Sequence, residues 1–188
     1  NRFAFVNFKR LTLHSKIMLM GTFFLVFGGA ILIFWIENVK TPEFYALPET
    51  EKWLLAFFQS VTSRTAGFAS MDIGKMQHAS IFVIIVLMFI GAGSASAAGG
   101  LKISTVFVAV AAAFGFVRKR DSVTLFHQSV NWGIVNRALA MIIASVLVII
   151  LATFLLLLSE KSLPFEMIIF EVVSAFSTVG LSIGLTGE

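Results

Sequence analysis

The sequence predicts an all-α membrane protein assembled from helix, re-entrant pore helix, helix repeats. Three observations predict it. Hydrophobic residues make up 58% of the chain and charged residues only 13%, against roughly a quarter charged in soluble domains, so the chain is too apolar to maintain a water-exposed surface. Two segments, 17–36 and 138–158, carry no charge over about 20 residues each, the length a helix rising 1.5 Å per residue needs to cross ~30 Å of hydrocarbon. A short apolar run that breaks at a Thr-x-Gly step then follows each span: Phe57, Thr65, Gly67 and Gly74 recur in register as Phe170, Thr178, Gly180 and Gly187.

The elements follow in order. Arg2, Lys9, Arg10 and Lys16 precede the first span without an acidic residue, whereas Glu37, Glu43, Glu49 and Glu51 outnumber Lys40 and Lys52 after it. By the positive-inside rule the N-terminus is cytoplasmic. After a loop containing Pro42 and Pro48, residues 53–62 form an apolar run too short to span, followed by the non-helical 63–68. That is the profile of a re-entrant pore helix and its loop. In 76–117 the one permanent charge is Lys102. This stretch is too long for one straight span and lacks the polar turn that two would need. The four glycines within 91–100 mark an internal break, since each disfavours helix by about 1 kcal/mol relative to Ala, and the helix is expected to resume at Lys102.

Arg118, Lys119, Arg120 and Arg137 against Asp121 return the chain to the cytoplasmic side. A second repeat begins there: 138–158 runs outward, 159–164 turns, and 165–176 forms the second pore helix, with Pro164 suited to a helix start. The predicted units are 1–121, with its second helix broken within 76–117, and 122–188, whose final helix is absent. The first residue is Asn, and Arg2 to Lys16 is too basic and broken for a signal peptide, so the sequence reads as a fragment.

A backbone that leaves its helix at membrane depth needs its carbonyls satisfied by protein, water or an ion, and rings of such carbonyls replace the hydration shell of cations in channels. Ion permeation is therefore the first expectation. In a filter, Arg64, Thr65, Ala66, Gly67 and Phe68, with Ser177, Thr178, Val179, Gly180 and Leu181, line the ion path. The carbonyls of Thr65, Ala66, Gly67, Thr178, Val179 and Gly180 hold the cation, and the two glycines permit the backbone angles this requires. The side chain of Arg64 is expected to pair behind the filter or to reach the external surface rather than to face the pore. Glu171, at membrane depth, needs a partner or a wet vestibule, and Arg64 is one partner it could take. The small-residue run has two readings: a movable gate made by Gly91, Gly93, Ser94, Ser96, Gly99 and Gly100, or close helix packing. Lys102 either raises a barrier to cations in a closed gate or snorkels to water.

The stretches FFQSVTSRTAGF at 57–68, MFIGAGSASAAGGLK at 88–102 and FEVVSAFSTVGL at 170–181 resemble the pore-forming subunits of the Ktr/Trk/HKT superfamily of potassium transporters, across nearly the whole chain. The resemblance implies a potassium-channel-like fold of four covalently linked repeats around one pore, of which this chain matches the third and most of the fourth. It favours the gate reading for 91–100, which here is rich in Ala92, Ala95, Ala97 and Ala98. It further implies K+ as the transported ion, Na+ as an activator, no covalent cofactor, and nucleotide bound only by a regulatory partner. That partner is a cytosolic ring of the RCK type beneath a homodimer of pore subunits in the plasma membrane. The basic segment 118–120 serves either as a ring contact or as ordinary cytoplasmic anchoring.

Other classes fare less well. The net charge of +4 sits in clusters beside the spans, which the positive-inside rule explains without nucleic acid. His14, His78 and His127 lie on different loops with no metal-ligand spacing, and no Ser-His-Asp set or phosphate loop can be assembled, so the chain is not read as an enzyme. With no cysteine there is no disulfide framework. The main alternative is a secondary transporter whose discontinuous helices form a midplane substrate site.

Overall fold

The computed structural model describes residues 12–91, 93, 99–118, 123–125, 128–160 and 163–184. Its helices are α1 (Leu13–Lys40), α2 (Pro42–Tyr45), α3 (Glu49–Thr62), α4 (His78–Phe89), α5 (Ile103–Val117), α6 (Trp132–Ser159) and α7 (Phe165–Phe176), with one 3-10 turn at Ile73–Lys75. The two spans are α1 and α6, each long and apolar enough to cross a membrane. The expected break within 76–117 separates α4 from α5. At 1.5 Å per residue these helices rise only about 18 and 22 Å, so neither spans alone.

Helix starts differ from expectation where caps decide them. α3 begins at Glu49 because Pro48 ends the preceding loop and Glu49 and Glu51 occupy its first turn, where carboxylates offset the positive end of the helix dipole. α6 begins at Trp132, earlier than the hydropathy suggested, because the Asn131 side chain accepts the Gly133 N–H at 2.8 Å. The charged return between α5 and α6 also holds a two-stranded antiparallel hairpin, β1 (Val123–Leu125) and β2 (Gln128–Val130), in the register Val123 to Val130. Apart from this hairpin the described elements are helical.

α1 is the central post of the first half and packs on α3, α4 and α5. A Cβ at Gly29 would lie 2.5 Å from Ser60 Oγ on α3 and 2.7 Å from Leu87 on α4, so only glycine lets the three helices meet there. The Ser60 hydroxyl uses that approach to donate to Val26 O at 2.7 Å. At the other end of α1, the fully buried Glu37 carboxylate accepts from the Thr41 hydroxyl and, at 3.0 Å, from the Gln77 N–H. That joins α1 to the start of α4. Lys52 donates to Glu49 and Asn38 at 3.0 Å each and lies over the Tyr45 ring, while Trp53 stacks on Phe34 at 4.0 Å. Together these fix the start of α3 against α1.

The main core gathers Ile33 of α1, Ile84 and Met88 of α4, and Ile168, Phe170 and Val173 of α7 around Val179 and Leu181. A smaller cluster joins Val108 and Ala112 of α5 to Val130, Val135 and Ala138. By contrast, Leu147, Ile150, Leu151, Phe154 and Leu155 of α6 and Phe23, Phe24 and Trp35 of α1 are exposed. Such a continuous apolar face suits lipid or further helices, not water.

Candidate functional site

Each short helix runs into its loop through hydrogen bonds that turn the backbone back on the helix end. At α3, the Ala66 and Gly67 N–H groups donate to Thr62 O at 3.2 and 3.3 Å. At α7, Val179 N–H donates to Ser174 O at 2.9 Å and Thr178 N–H to Ala175 O at 3.1 Å. The result is the same unusual backbone in both copies: Thr65 and Gly67 have φ of 77° and 74°, and Thr178 and Gly180 have 54° and 85°. Positive φ is a genuine outlier for a β-branched residue, and costs on the order of 1–3 kcal/mol per site. These two threonines are the only described non-glycine residues that adopt it.

Hydroxyls of α3 and α7 hold the far side of each loop. Thr62 Oγ1 accepts the Phe68 N–H at 2.9 Å and donates to Phe68 O at 2.7 Å. Ser174 Oγ donates to Leu181 O at 2.6 Å. Between these anchors, no donor among the described residues bonds the carbonyls of Thr65, Ala66, Gly67, Thr178, Val179 or Gly180. The two loops also touch. A Cβ on Gly67 would lie 2.2 Å from Val179 O, whereas one on Gly180 would meet nothing within 4 Å.

Arg64 and Glu171 do not pair with each other. Arg64 is half-buried, and its Nε has no hydrogen-bond partner. Glu171 does not take Arg64 as partner; its Oε1 accepts instead from Ser182 Oγ at 2.5 Å and from the Ile183 N–H at 3.1 Å. These donors come from the segment that follows α7, 11 and 12 positions from the carboxylate. His78, expected at the surface, is exposed and bonds Glu166 at 2.5 Å, joining the starts of α4 and α7.

The described ends of the broken helix are drawn together beneath the second loop. Leu101 N–H donates to Phe89 O at 3.0 Å, and a Cβ on Gly91 would lie 2.3 Å from Gly99 O. Gly99 N–H donates to the Thr178 hydroxyl oxygen at 2.9 Å. Gly100 lies against Ser177, whose Oγ is 3.0 Å from where a Cβ would stand. Gly93 abuts Met18 of α1. Lys102 is half-buried at the N-cap of α5. Ser94 and Ser96, with Ala92, Ala95, Ala97 and Ala98, lie outside the described residues, as do Gly187, Lys119, Arg120, Asp121 and His127. Thus Gly99 and Gly100 meet Ser177 and Thr178.

Sequence reasoning passed over Thr62 and Ser174. The signal for both was a small hydroxyl in the last turns of a short helix that ends in a loop, where it can reach the returning backbone.

A model of the TrkH family, described as cation transport protein, matches residues 3–188. The chain is 43% identical over 182 residues to Ktr system potassium uptake protein B of Vibrio alginolyticus, covering 97% of this chain and 40% of that protein. It is 39% identical over 182 residues to the protein of the same name from Bacillus subtilis strain 168, covering 97% and 41%. To the potassium/sodium uptake protein NtpJ of Enterococcus hirae it is 37% identical over 183 residues, covering 96% and 40%. The chain therefore spans about two fifths of the length of these curated relatives.

Proposed function

Because this chain belongs to the TrkH family of cation transport proteins, we propose that it forms part of a membrane pore for K+ uptake, with 63–68 and 177–181 as two strands of its selectivity filter. The observation that carries this reading is the repeated backbone of the loops, left-handed at Thr65 and Gly67 and again at Thr178 and Gly180. Strain of one kind kept at two equivalent places points to a shape required by function. Similar proteins named for potassium and for potassium/sodium uptake support the choice of ion.

On this reading the carbonyls of Thr65, Ala66, Gly67, Thr178, Val179 and Gly180 replace water around a K+ ion that enters from outside. The units 1–121 and 122–188 are two successive repeats around that pore. The segment bearing Gly91, Gly93, Ser94, Ser96, Gly99 and Gly100 is the gate beneath the filter, and the Lys102 ammonium adds an electrostatic barrier while the gate is closed. The membrane potential drives inward flux, at about 2.3 kcal/mol per charge per 100 mV. The cytoplasmic N-terminus follows from the basic residues before α1. The homodimer, the nucleotide-binding regulatory ring and activation by Na+ belong to the same proposal, supported by the family resemblance.

The test is K+ uptake with Na+ competition in transport-deficient cells expressing the full-length protein, beside Gly180→Ser at matched membrane levels. Uptake that prefers K+, with the preference lost in Gly180→Ser, is the expected result. If the parent moves no monovalent cation with its regulatory ring present, the pore reading fails and a secondary transporter with a midplane substrate site takes its place.

A further inference from the structure

Gly180 stands with a φ of 85° and nothing within 4 Å of where its Cβ would be. Nothing bounds it on that side, which leaves its flanks to set its position there. On one side, Val179 N–H is fixed to Ser174 O at 2.9 Å. On the other, Leu181 O is held by Ser174 Oγ at 2.6 Å, and the next two residues converge on one carboxylate oxygen, Glu171 Oε1. Glu171 and Ser174 are three positions apart and so share one face of α7, which makes that face a two-point brace for the strand on both sides of Gly180.

No Lys, Arg or His among the described residues pairs with Glu171. An acidic residue at membrane depth is costly and marks function by default. The first repeat offers no counterpart, since the register that aligns Phe57 with Phe170 puts Phe58 at the equivalent position. There Thr62 alone clasps Phe68, and Gly67 is wedged against Val179 O. Only the unwedged glycine has a carboxylate brace.

We infer that Glu171 is a positioning residue for ion discrimination: its hydrogen bonds to Ser182 and Ile183 hold the second filter strand at the spacing that favours K+ over Na+. The inference rests on the pore reading above. Glu171 acts through its acceptor oxygen, and it touches no ion.

The experiment compares the full-length parent, Glu171→Ala and Glu171→Gln by K+ uptake, Na+ competition and membrane abundance. In Glu171→Ala, which removes both bonds, the K+-over-Na+ preference is expected to fall at least about tenfold, with KM for K+ raised and abundance near parental. Glu171→Gln keeps an acceptor oxygen in place and restores most of the preference. A parental preference in Glu171→Ala overturns the inference while leaving the pore reading intact. So does a Gln variant as impaired as Ala, which would assign the effect to charge. If the parent itself transports no cation, the pore reading falls and takes the inference with it. Should Glu171→Ala fail to reach the membrane, Ser182→Ala removes one donor from the strand side; a reduced preference supports the brace and an unchanged one refutes it.

Discussion

The Gly99 N–H donates to the Thr178 hydroxyl oxygen at 2.9 Å, across 79 positions of sequence. One end of the broken helix is thereby bonded to the residue that carries left-handed strain in the second loop. On the pore reading proposed above, a gate leaving its place has to break this bond, which ties the proposed gate to the proposed filter through one hydroxyl.

Thr178→Val preserves the branched shape and the strained φ but removes the acceptor. Losing a neutral hydrogen bond is worth about 0.5–1.5 kcal/mol, so the closed state should weaken relative to the open one by about two- to tenfold. Rb+ influx under non-activating conditions should rise in Thr178→Val and stay parental in Thr178→Ser. An unchanged influx in the Val variant would show that the bond does not restrain the gate.

Gly67 and Gly180 look equivalent in sequence but should respond differently to alanine. Left-handed backbone costs an L-residue roughly 1–2 kcal/mol at either site, but only at Gly67 would the new methyl meet a carbonyl, 2.2 Å away. Gly67→Ala is expected to lower membrane abundance and thermal stability in detergent. Gly180→Ala should accumulate near parental levels and lose selectivity. Equal losses of abundance would contradict the geometry.

Thr62 closes both the N–H and the C=O of Phe68 on itself. Thr62→Val leaves both groups without their partner, at about 1–3 kcal/mol for each that stays buried and unsatisfied. The melting temperature should drop by several degrees, and Thr62→Ser should recover most of it. A Val variant that melts with the parent would show that water replaces the hydroxyl.

Much of the architecture was legible because it follows from local composition. Charge-free length marked α1 and α6. The apolar runs ending at Thr62 and Phe176 marked α3 and α7, and the glycines of 91–100 marked the break between α4 and α5. Element starts were less legible, because the Asn131 side chain caps α6 and Pro48 with the first-turn carboxylates of Glu49 and Glu51 sets the start of α3, which hydropathy does not register. The hairpin pairing Val123 with Val130 escaped notice, since two three-residue strands carry too little alternation to stand out.

The candidate site divides along the same line. Sequence alone marked the two loops through the duplicated Thr-x-Gly steps, and it named Gly67 and Gly180 as needing unusual φ because that freedom is written in residue type; the positive φ of Thr65 and Thr178 came only with the fold, since a β-branched residue gives no such signal. Tertiary structure alone decided the partners. Glu171 bonds Ser182 and Ile183, not Arg64; Gly99 reaches Thr178; and Gly67, not Gly180, is wedged against Val179. A hydrogen bond forms between whichever donor and acceptor the packed helices bring within about 3 Å, and that proximity belongs to the assembled fold.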